Sequence, residues 1–266
     1  MTHVRAPATT ANVGPGFDCV GIALDLWNEL EVGEGDGEPD RGHLGVRAFA
    51  RLAPVEGRTF RWTDRIPRAR GLGSSAAVVA LGLVAGALAA GREPDPEELL
   101  HLGVDLEGHP DNLAPALAGG VCLTWDDRIV RIADSAPAVP IAVIPEERIS
   151  TAASRAALPA SVSHQDAAHS AGRAALLGAA LATGSPELFA AALDDRLHEP
   201  YRAPNVPLLT AVRAKLPAGA VGVTLSGSGP TVIVWAEDAA ACAADLTTRF
   251  PEARVLPLGV AARGAA

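Results

Sequence analysis

The segment Pro67-Arg-Ala-Arg-Gly-Leu-Gly-Ser-Ser-Ala-Ala77 is a glycine-rich loop that leads into a long apolar run. The run is apolar on nearly all sides, which predicts a buried helix over Ser74–Ala90 rather than a membrane span. Glycines let a backbone approach a ligand closely, and the free N–H groups of a first helical turn favour an anion such as phosphate. We therefore predict a phosphate site here, although a glycine-rich turn that is capped by serine gives the same pattern.

Several common nucleotide and hydrolase motifs are absent from the sequence. The loop fits neither G-x-G-x-x-G nor G-x-x-x-x-G-K-[ST], which excludes the Rossmann and Walker loops. Lys215 is the only lysine, so the N-terminal half has no lysine to hold a phosphate. No H-E-x-x-H or G-x-S-x-G motif occurs, which disfavours a hydrolase.

The composition is typical of a globular enzyme, with 48% apolar and 20% charged residues in 266. The 31 acidic residues outnumber the 22 basic ones, so we expect no nucleic-acid partner and no membrane partner. Cys19, Cys122 and Cys242 lie far apart, which argues against disulfides and a zinc site and favours the reducing cytoplasm. The N-terminus lacks the charged-then-apolar order of a signal peptide, so we expect no export.

Hydrophobic patterns predict a mixed α+β chain in both halves. Strands are predicted over Val4–Ala8, Val20–Leu26, Asn28–Val32, Phe60–Ile66, Gly119–Trp125, Ile129–Ile132, Val139–Ile144, Ala220–Leu225, Val232–Trp235 and Ala253–Leu258. Helices are predicted over Leu44–Ala53, Ser74–Ala90, Pro96–Glu107, Ser150–Leu158, Gln165–Thr183, Pro186–Leu193, Val206–Leu216 and Asp238–Phe250. The linker-like run Asp134–Ala138 divides the chain into predicted domains of residues 1–137 and 138–266.

Three segments resemble, in order along the chain, the three signature motifs of the GHMP small-molecule kinases. They are Ala6–Asp18, Pro67–Ala77 and Ser226-Gly-Ser-Gly-Pro-Thr231. Within that superfamily the sequence resembles the homoserine kinase family from Val4 to about Leu258. The residues that carry this closer resemblance are Ala11-Asn-Val-Gly-Pro-Gly-Phe-Asp18, Leu106-Glu-Gly-His-Pro-Asp-Asn112, Ser150-Thr-Ala-Ala-Ser-Arg155 and His198-Glu-Pro-Tyr-Arg202.

The resemblance implies a fold, a reaction and its cofactors. The fold is the two-domain GHMP-kinase fold, in which the N-terminal half is like domain 2 of ribosomal protein S5 and the C-terminal half is ferredoxin-like. The reaction is the transfer of the γ-phosphoryl group of ATP to the side-chain hydroxyl of L-homoserine, the step before threonine formation. ATP and Mg²⁺ are the implied cofactors, and a homodimer is left open.

The resemblance also assigns roles at the phosphate site. The residues implied to hold the triphosphate are Pro67, Arg70, Gly71, Leu72, Gly73, Ser74, Ser75 and Ala76, with Gly227, Ser228 and Gly229 bracing the loop from the other domain. Ser75 and Glu107 are implied to hold Mg²⁺. A nearby cation would stabilise Glu107, because the end of a helix disfavours a carboxylate. Without the resemblance, an exposed helix-terminal glutamate is the ordinary interpretation.

Other residues are implied to bind homoserine. Asn112 would orient the hydroxyl, while Asp111 receives no role and an Asx turn explains the Asp-Asn pair equally well. Arg155 and Arg202 would bind the carboxylate, since arginine makes two parallel hydrogen bonds to it. Asp18 would pair with the ammonium group beside Asn12, and Thr151 would contact the carboxylate. The alternatives are surface arginines and a turn residue at Asp18.

Two rival functions stay open at this level. One is a GHMP kinase that acts on another alcohol, such as mevalonate or a sugar. The other is a ligand-sensing or structural protein that has lost catalysis, since one fold hosts many functions. Intact Ser75, Glu107 and all three glycine-rich segments favour a kinase over the second alternative.

Overall fold

The computed structural model describes residues 1–266 and places the first five strands in one antiparallel sheet. β1 (Thr2–Ala11) pairs with β2 (Val20–Glu34) along its length. The other edge of β2 is shared by β3 (Arg58–Thr63) and β4 (Val121–Trp125), and β5 (Arg128–Ala133) forms a hairpin with β4. The prediction of a mixed α+β fold is confirmed.

The separate strands predicted over Val20–Leu26 and Asn28–Val32 are wrong, because β2 is one strand of 15 residues. Its pairing register with β1 shifts between Pro7 and Ala8, whose partners are Trp27 and Leu24. A bulge of this kind adds residues to one strand without ending it. Trp27, the residue between the two predicted strands, therefore lies at a bulge within one strand.

Four helices pack against this sheet: α1 (Leu44–Phe49), α2 (Ser74–Ala89), α3 (Pro96–Glu107) and α4 (Pro110–Ala118). Twelve of the sixteen residues of α2 are buried, as the sequence predicts. Asp95 caps α3 because its side chain accepts the N–H of Glu98 at 2.8 Å. None of the helices is both long enough and apolar enough to span a membrane.

The turn predicted at Asp111–Asn112 is wrong, because α4 begins at Pro110. α3 ends as predicted, with Gly108 in the left-handed conformation at φ 76°. Proline suits the first position of a helix, where its missing N–H is not needed. Both residues therefore lie on a first helical turn, where the backbone fixes their direction.

The second sheet has the strand order β7 (Ala220–Leu225), β8 (Val232–Ala236), β6 (Val139–Ile144) and β9 (Arg254–Pro257), all antiparallel. The helices of this half are α5 (Thr151–Ala156), α6 (His164–Thr183), α7 (Pro186–Ala192), α8 (Glu199–Arg202), α9 (Pro207–Ala214) and α10 (Ala239–Arg249). The sequence analysis missed α8, because four residues are too few to show helical periodicity.

The main core joins the two halves of the chain. A cluster of 43 buried residues lies under the first sheet and also includes Leu177, Phe189 and Trp235 from the second half. A separate cluster of 12 buried residues lies on the other face of the second sheet. The break between the sheets falls between Ala133 and Val139, and the predicted domain division at residue 137 stays a prediction.

The C-terminal segment, residues 259–266, leaves the second sheet and returns to the first. Ala261 exchanges hydrogen bonds with Ala23 and Gly120, at 3.0 and 2.8 Å. Ala266 forms a reciprocal backbone pair with Arg5, at 2.9 and 3.1 Å. The last residues of the chain thus complete the packing of the first domain.

Candidate active site

A polar cleft of about 640 Å³ opens where α2 begins, α3 ends and the Ser226–Thr231 loop approaches from the second half. The residues predicted for the site that line this cleft are Asn12, Asp18, Arg70, Gly71, Leu72, Gly73, Ser74, Ser75, Glu107, Asn112, Thr151, Arg155, Arg202, Gly227, Ser228 and Gly229. Pro67 and Ala76 do not line it. Ala69, His109, Asp111 and Ile149 line it without having been assigned to the site from the sequence.

The glycine-rich loop holds a conformation that side chains rarely adopt. Gly71 and Gly73 have φ angles of 76° and 62°. A Cβ at Gly73 would collide with Thr9 Oγ1 of β1, so the loop lies directly on the strand. Ser74 then begins α2, and the first N–H groups of a helix have no partner within it. These N–H groups form a site for an anion.

The second glycine-rich segment touches the first. Ser226 Oγ donates to the carbonyl oxygen of Gly71 at 2.6 Å, and the N–H of Thr231 donates to the carbonyl oxygen of Arg70 at 3.2 Å. A Cβ at Gly71 would collide with the carbonyl oxygen of Ser226. The close contact between the two loops therefore requires glycine at this position.

Arg70 connects the loop to the second half through its side chain. Its Nε donates to the carbonyl oxygen of Pro145 at 2.9 Å, and its Nη2 donates to that of Glu146. No carboxylate pairs with Arg70, and its Nη1 is buried without a partner. The positive charge at this end of the cleft is therefore not neutralised by the protein.

Glu107 is the carboxylate nearest the end of α3, and its side chain is only 6% exposed. One oxygen, Oε1, lies 3.7 Å from His109 Nδ1, while Oε2 is buried and has no hydrogen-bond partner. The nearby carboxylate of Glu107 raises the pKa of His109 above its ordinary value. A buried carboxylate oxygen without a partner is costly, and a bound cation would remove that cost.

Asn112 is held by a residue that the sequence analysis did not single out. Thr9 Oγ1 donates to Asn112 Oδ1 at 2.8 Å. The amide Nδ2 of Asn112 makes only a long contact of 3.4 Å to Asp111 Oδ1, so it has capacity for another acceptor. Thr9 lies inside the quoted Ala6–Asp18 motif, but nothing in the motif indicates that this side chain meets a residue 103 positions away.

Asp111 is buried beside a second carboxylate. It is 2% exposed, and burial together with the negative charge of Asp18 raises its pKa to about 6. His109 and Arg155 act in the opposite direction but do not cancel the effect. Two carboxylates at one end of the cleft favour a cationic ligand between them.

Arg155 and Asp18 form a two-bond ion pair across 137 positions of sequence, at 2.8 and 3.1 Å. Both side chains are 41% exposed. Asp18 has φ 55°, and its N–H donates to Asn12 Oδ1 at 2.8 Å. Asn12 Nδ2 in turn donates to the carbonyl oxygen of Gly227 at 3.2 Å. The loop that carries Asp18 is therefore hydrogen-bonded to the second half of the chain.

Arg202 is 2% exposed, so the alternative of a surface arginine is wrong for this residue. Its Nη1 donates to the carbonyl oxygen of Gly227 at 3.2 Å and lies 3.2 Å from His198 Nδ1. Burial lowers the pKa of Arg202 from its ordinary value. No carboxylate forms an ion pair with this guanidinium, which leaves a buried positive charge facing the cleft.

Comparison with known proteins connects these features to one enzyme family. The models for the GHMP kinases N terminal domain and the GHMP kinases C terminal match residues 44–120 and 177–252. A homoserine kinase of Moorella thermoacetica is 42% identical over 258 residues, which cover 88% of this chain and 87% of the relative. One from Streptomyces coelicolor is 42% identical, covering 88% and 84%. The crystal structure of homoserine kinase from Cytophaga hutchinsonii has a TM-score of 0.87 and 26% identity, covering 99% of this chain and 96% of that one.

Proposed function

The chain belongs to the homoserine kinase family of the GHMP kinases, and we infer that it transfers the γ-phosphoryl group of ATP to the side-chain hydroxyl of L-homoserine. The hydroxyl oxygen bonds to the γ-phosphorus, the bond from that phosphorus to the oxygen that bridges to the β-phosphorus breaks and leaves ADP, and the hydroxyl proton passes to water. The products are O-phospho-L-homoserine and ADP. The observation that carries this inference is one cleft that holds a glycine-rich loop at a helix start together with polar atoms of Arg70, Glu107 and Arg202 that are buried without partners.

The loop from Arg70 to Ser75 supports the triphosphate. Its N–H groups and the positive end of α2 stabilise phosphate oxygens, in place of the lysine that this half of the chain lacks. Arg70 adds a positive charge that no carboxylate neutralises. Gly227–Gly229 brace the loop from the other side. Phosphoryl transfer depends mainly on positioning and charge neutralisation, which this arrangement supplies.

We assign Mg²⁺ binding to Ser75 and Glu107. The residues fit the ion, because Oε2 of Glu107 is buried without a partner and hydroxyl and carboxylate oxygens are magnesium ligands. No group of three histidine, cysteine or acidic side chains gathers in the structure. This suits an ion that takes most of its ligands from phosphates and water. When bound, the ion neutralises charge on the transferring group.

The other end of the cleft fits an amino acid. Arg155 and Asp18 pair with each other, and a half-exposed ion pair contributes only about 0–1 kcal/mol. A zwitterion replaces this pair at small cost, because its carboxylate binds Arg155 while its ammonium binds Asp18. Arg202 adds a second guanidinium for the carboxylate, with Thr151 nearby in the cleft, and Asp111 adds a second carboxylate for the ammonium.

Asn112 orients the substrate hydroxyl. Because Thr9 donates to Oδ1 of Asn112, the free group of that amide is Nδ2. Nδ2 donates a hydrogen bond to the substrate hydroxyl oxygen, and a lone pair of that oxygen then points toward the γ-phosphorus. The assignment needs no general base. Asp111, adjacent on α4, serves the ammonium group here.

The test is ATP-dependent phosphate transfer to homoserine, mevalonate, galactose and shikimate, each with and without Mg²⁺. We expect turnover with homoserine and Mg²⁺ alone. Mevalonate has a carboxylate but no ammonium group, so it leaves Asp18 and Asp111 unpaired. Faster transfer to mevalonate or galactose would assign the chain to another GHMP activity. Location in the cytoplasm and a homodimer stay predictions.

A further inference from the structure

His198 is fully buried behind the amino-acid end of the cleft and contacts both the loop that carries Asp18 and the helix that carries Arg202. Its Nε2 is 2.8 Å from the carbonyl oxygen of Gly14, in the loop that carries Asp18. Its Nδ1 is 3.2 Å from Nη1 of Arg202, one turn further along the chain. The ring stacks on Phe17 with centroids 5.1 Å apart and an interplanar angle of 19°.

The two partners determine which nitrogen of His198 carries the proton. A carbonyl oxygen only accepts, so Nε2 donates to Gly14. A guanidinium only donates, so Nδ1 must offer its lone pair to Arg202. The hydrogen bonds therefore place a proton on Nε2 and the accepting lone pair on Nδ1, with the buried carboxylate of Asp195 3.6 Å from Nε2.

This arrangement leaves one edge of Arg202 free. The two hydrogens of Nη1 point to His198 and to the carbonyl oxygen of Gly227. No hydrogen bond in the structure uses Nε or Nη2, and Nε is buried without a partner. The N–H bonds on the Nε and Nη2 edge run parallel, which is the geometry that binds both oxygens of a carboxylate.

We propose that His198 is a positioning residue for carboxylate recognition: it fixes Nη1 of Arg202 so that the Nε and Nη2 edge faces the substrate carboxylate. The proposal rests on the proposed function, which gives Arg202 that ligand. An imidazole nitrogen that accepts a hydrogen bond suits the task, because it orients the guanidinium without adding a negative charge beside it. An aspartate in the same place would compete with the substrate for the charge.

Holding Arg202 in place before the substrate arrives reduces the entropy that binding costs, since a free arginine side chain has many rotamers. Arg155 contrasts with it, because Arg155 is held by Asp18 and must exchange that partner for the substrate. Of the two arginines, only Arg202 therefore has its carboxylate-binding edge oriented and unoccupied before the substrate binds.

Two variants separate the two hydrogen bonds of His198. His198→Asn places an amide oxygen near the position of Nδ1, which keeps an acceptor for Arg202 but does not reach Gly14. His198→Gln places an amide near Nε2, which keeps a donor for Gly14 but offers Arg202 no acceptor. Both lose the ring that stacks on Phe17, so we expect similar losses in melting temperature. The control is His101→Asn, an exposed histidine on α3.

The measurement is kcat/KM for homoserine and for homoserinol, which lacks the carboxylate, together with KM for ATP. We expect His198→Gln to lower kcat/KM for homoserine about tenfold and to lower the preference over homoserinol by a similar factor, as for one lost hydrogen bond to a charged group. His198→Asn should keep both values within about threefold, and KM for ATP should change by less than about twofold in either variant, since neither touches the phosphate loop.

Two outcomes separate this inference from the proposed function. If the wild-type chain has the same kcat/KM for homoserinol and for homoserine, the carboxylate does not bind the arginines. The amino-acid specificity of the proposed function is then wrong. If the wild type prefers homoserine but the Asn and Gln variants keep the same preference as each other, Arg202 does not depend on Nδ1. The positioning role is then wrong while the proposed function stands.

Discussion

The two ends of the cleft are built from different parts of the chain. The proposed phosphate end, Arg70–Ser75 with Gly227–Gly229, consists mainly of backbone from two short segments. The proposed amino-acid end consists of the side chains of Asp18, Asp111, Arg155 and Arg202, which come from a loop and three helices. A backbone site is determined by local conformation, whereas a side-chain site requires the whole tertiary structure. Mutations should therefore affect the two ends in different ways.

The largest effect is expected at the phosphate end, for Glu107→Ala. Loss of its carboxylate should lower kcat by about a hundredfold or more, as for other losses of charge stabilisation in a transition state. The measurement is turnover at saturating ATP and Mg²⁺. Asp105→Ala is the matched control, because Asp105 lies on the same helix but pairs with Arg51 at the surface. Wild-type turnover in Glu107→Ala would remove Glu107 from the metal site.

At the amino-acid end, Arg155→Ala should lower kcat/KM for homoserine by about ten- to a hundredfold, because charge-assisted bonds contribute roughly 1.5–3 kcal/mol each. KM for ATP should not change. A loss confined to homoserine distinguishes this end of the cleft from the phosphate end. Lysine should not fully restore activity, since it cannot form two parallel bonds. Arg92→Ala, in a surface pair with Glu98, is the control. If kcat/KM for homoserine and kcat/KM for homoserinol fall by the same factor in Arg155→Ala, then Arg155 does not bind the carboxylate.

A glycine substitution tests whether the phosphate end depends on backbone shape. Gly73→Ala should raise KM for ATP by at least about tenfold, because the new Cβ would collide with Thr9 and displace the loop. Gly91→Ala is the matched control: its φ of 69° gives similar backbone strain of about 1–2 kcal/mol, but a Cβ there meets nothing within 4 Å. Equal KM values for ATP in the two variants would contradict a backbone-built site.

The smallest effect concerns the pH dependence of the amino-acid end. Because the pKa of Asp111 is about 6, this carboxyl becomes neutral as the pH falls from about 7 to 5. KM for homoserine should then rise severalfold, since the ammonium loses one of its carboxylates.

The stability of the enzyme without substrate should change in the opposite direction. A carboxyl whose pKa is raised by folding binds a proton more tightly in the folded state, so its contribution to stability grows as the pH falls from about 6 to 4. Asp111→Asn should remove both effects from the KM profile and from melting curves. An unchanged KM profile in that variant would assign the pH dependence to a group other than Asp111.

Much of the fold was predictable because local signals determine it. β6 and α3 have the predicted bounds, and for α3 the reason is a capping Asp95 and a left-handed Gly108. β2 was divided wrongly because the bulge opposite Pro7 and Ala8 interrupts the regular pattern of the strand without ending it. α4 was missed because Gly-His-Pro is typical of a break, although the proline here starts the next helix.

The residues of the candidate site also differ in whether local sequence signals could predict them. Most of the phosphate loop was predictable, since glycines and serines at a helix start carry their own geometry. The ion pair of Asp18 with Arg155 and the bond of Thr9 to Asn112 span 137 and 103 positions, and no local pattern reports such contacts. The role of His198 was equally hidden, because the Gly14 carbonyl that determines which ring nitrogen carries the proton lies 184 positions away in the sequence.

The return of residues 259–266 to the first sheet has a consequence for folding kinetics. During synthesis, residues 1–133 leave the ribosome long before the segment that pairs with Arg5, Ala23 and Gly120 exists. The first sheet therefore cannot complete its hydrogen bonding before the segment beyond residue 258 has been made. Contacts of such sequence separation close very long loops, which slows folding and lengthens the time that β-strand edges are exposed to aggregation. Chaperone demand should consequently fall on the half of the molecule that is made first.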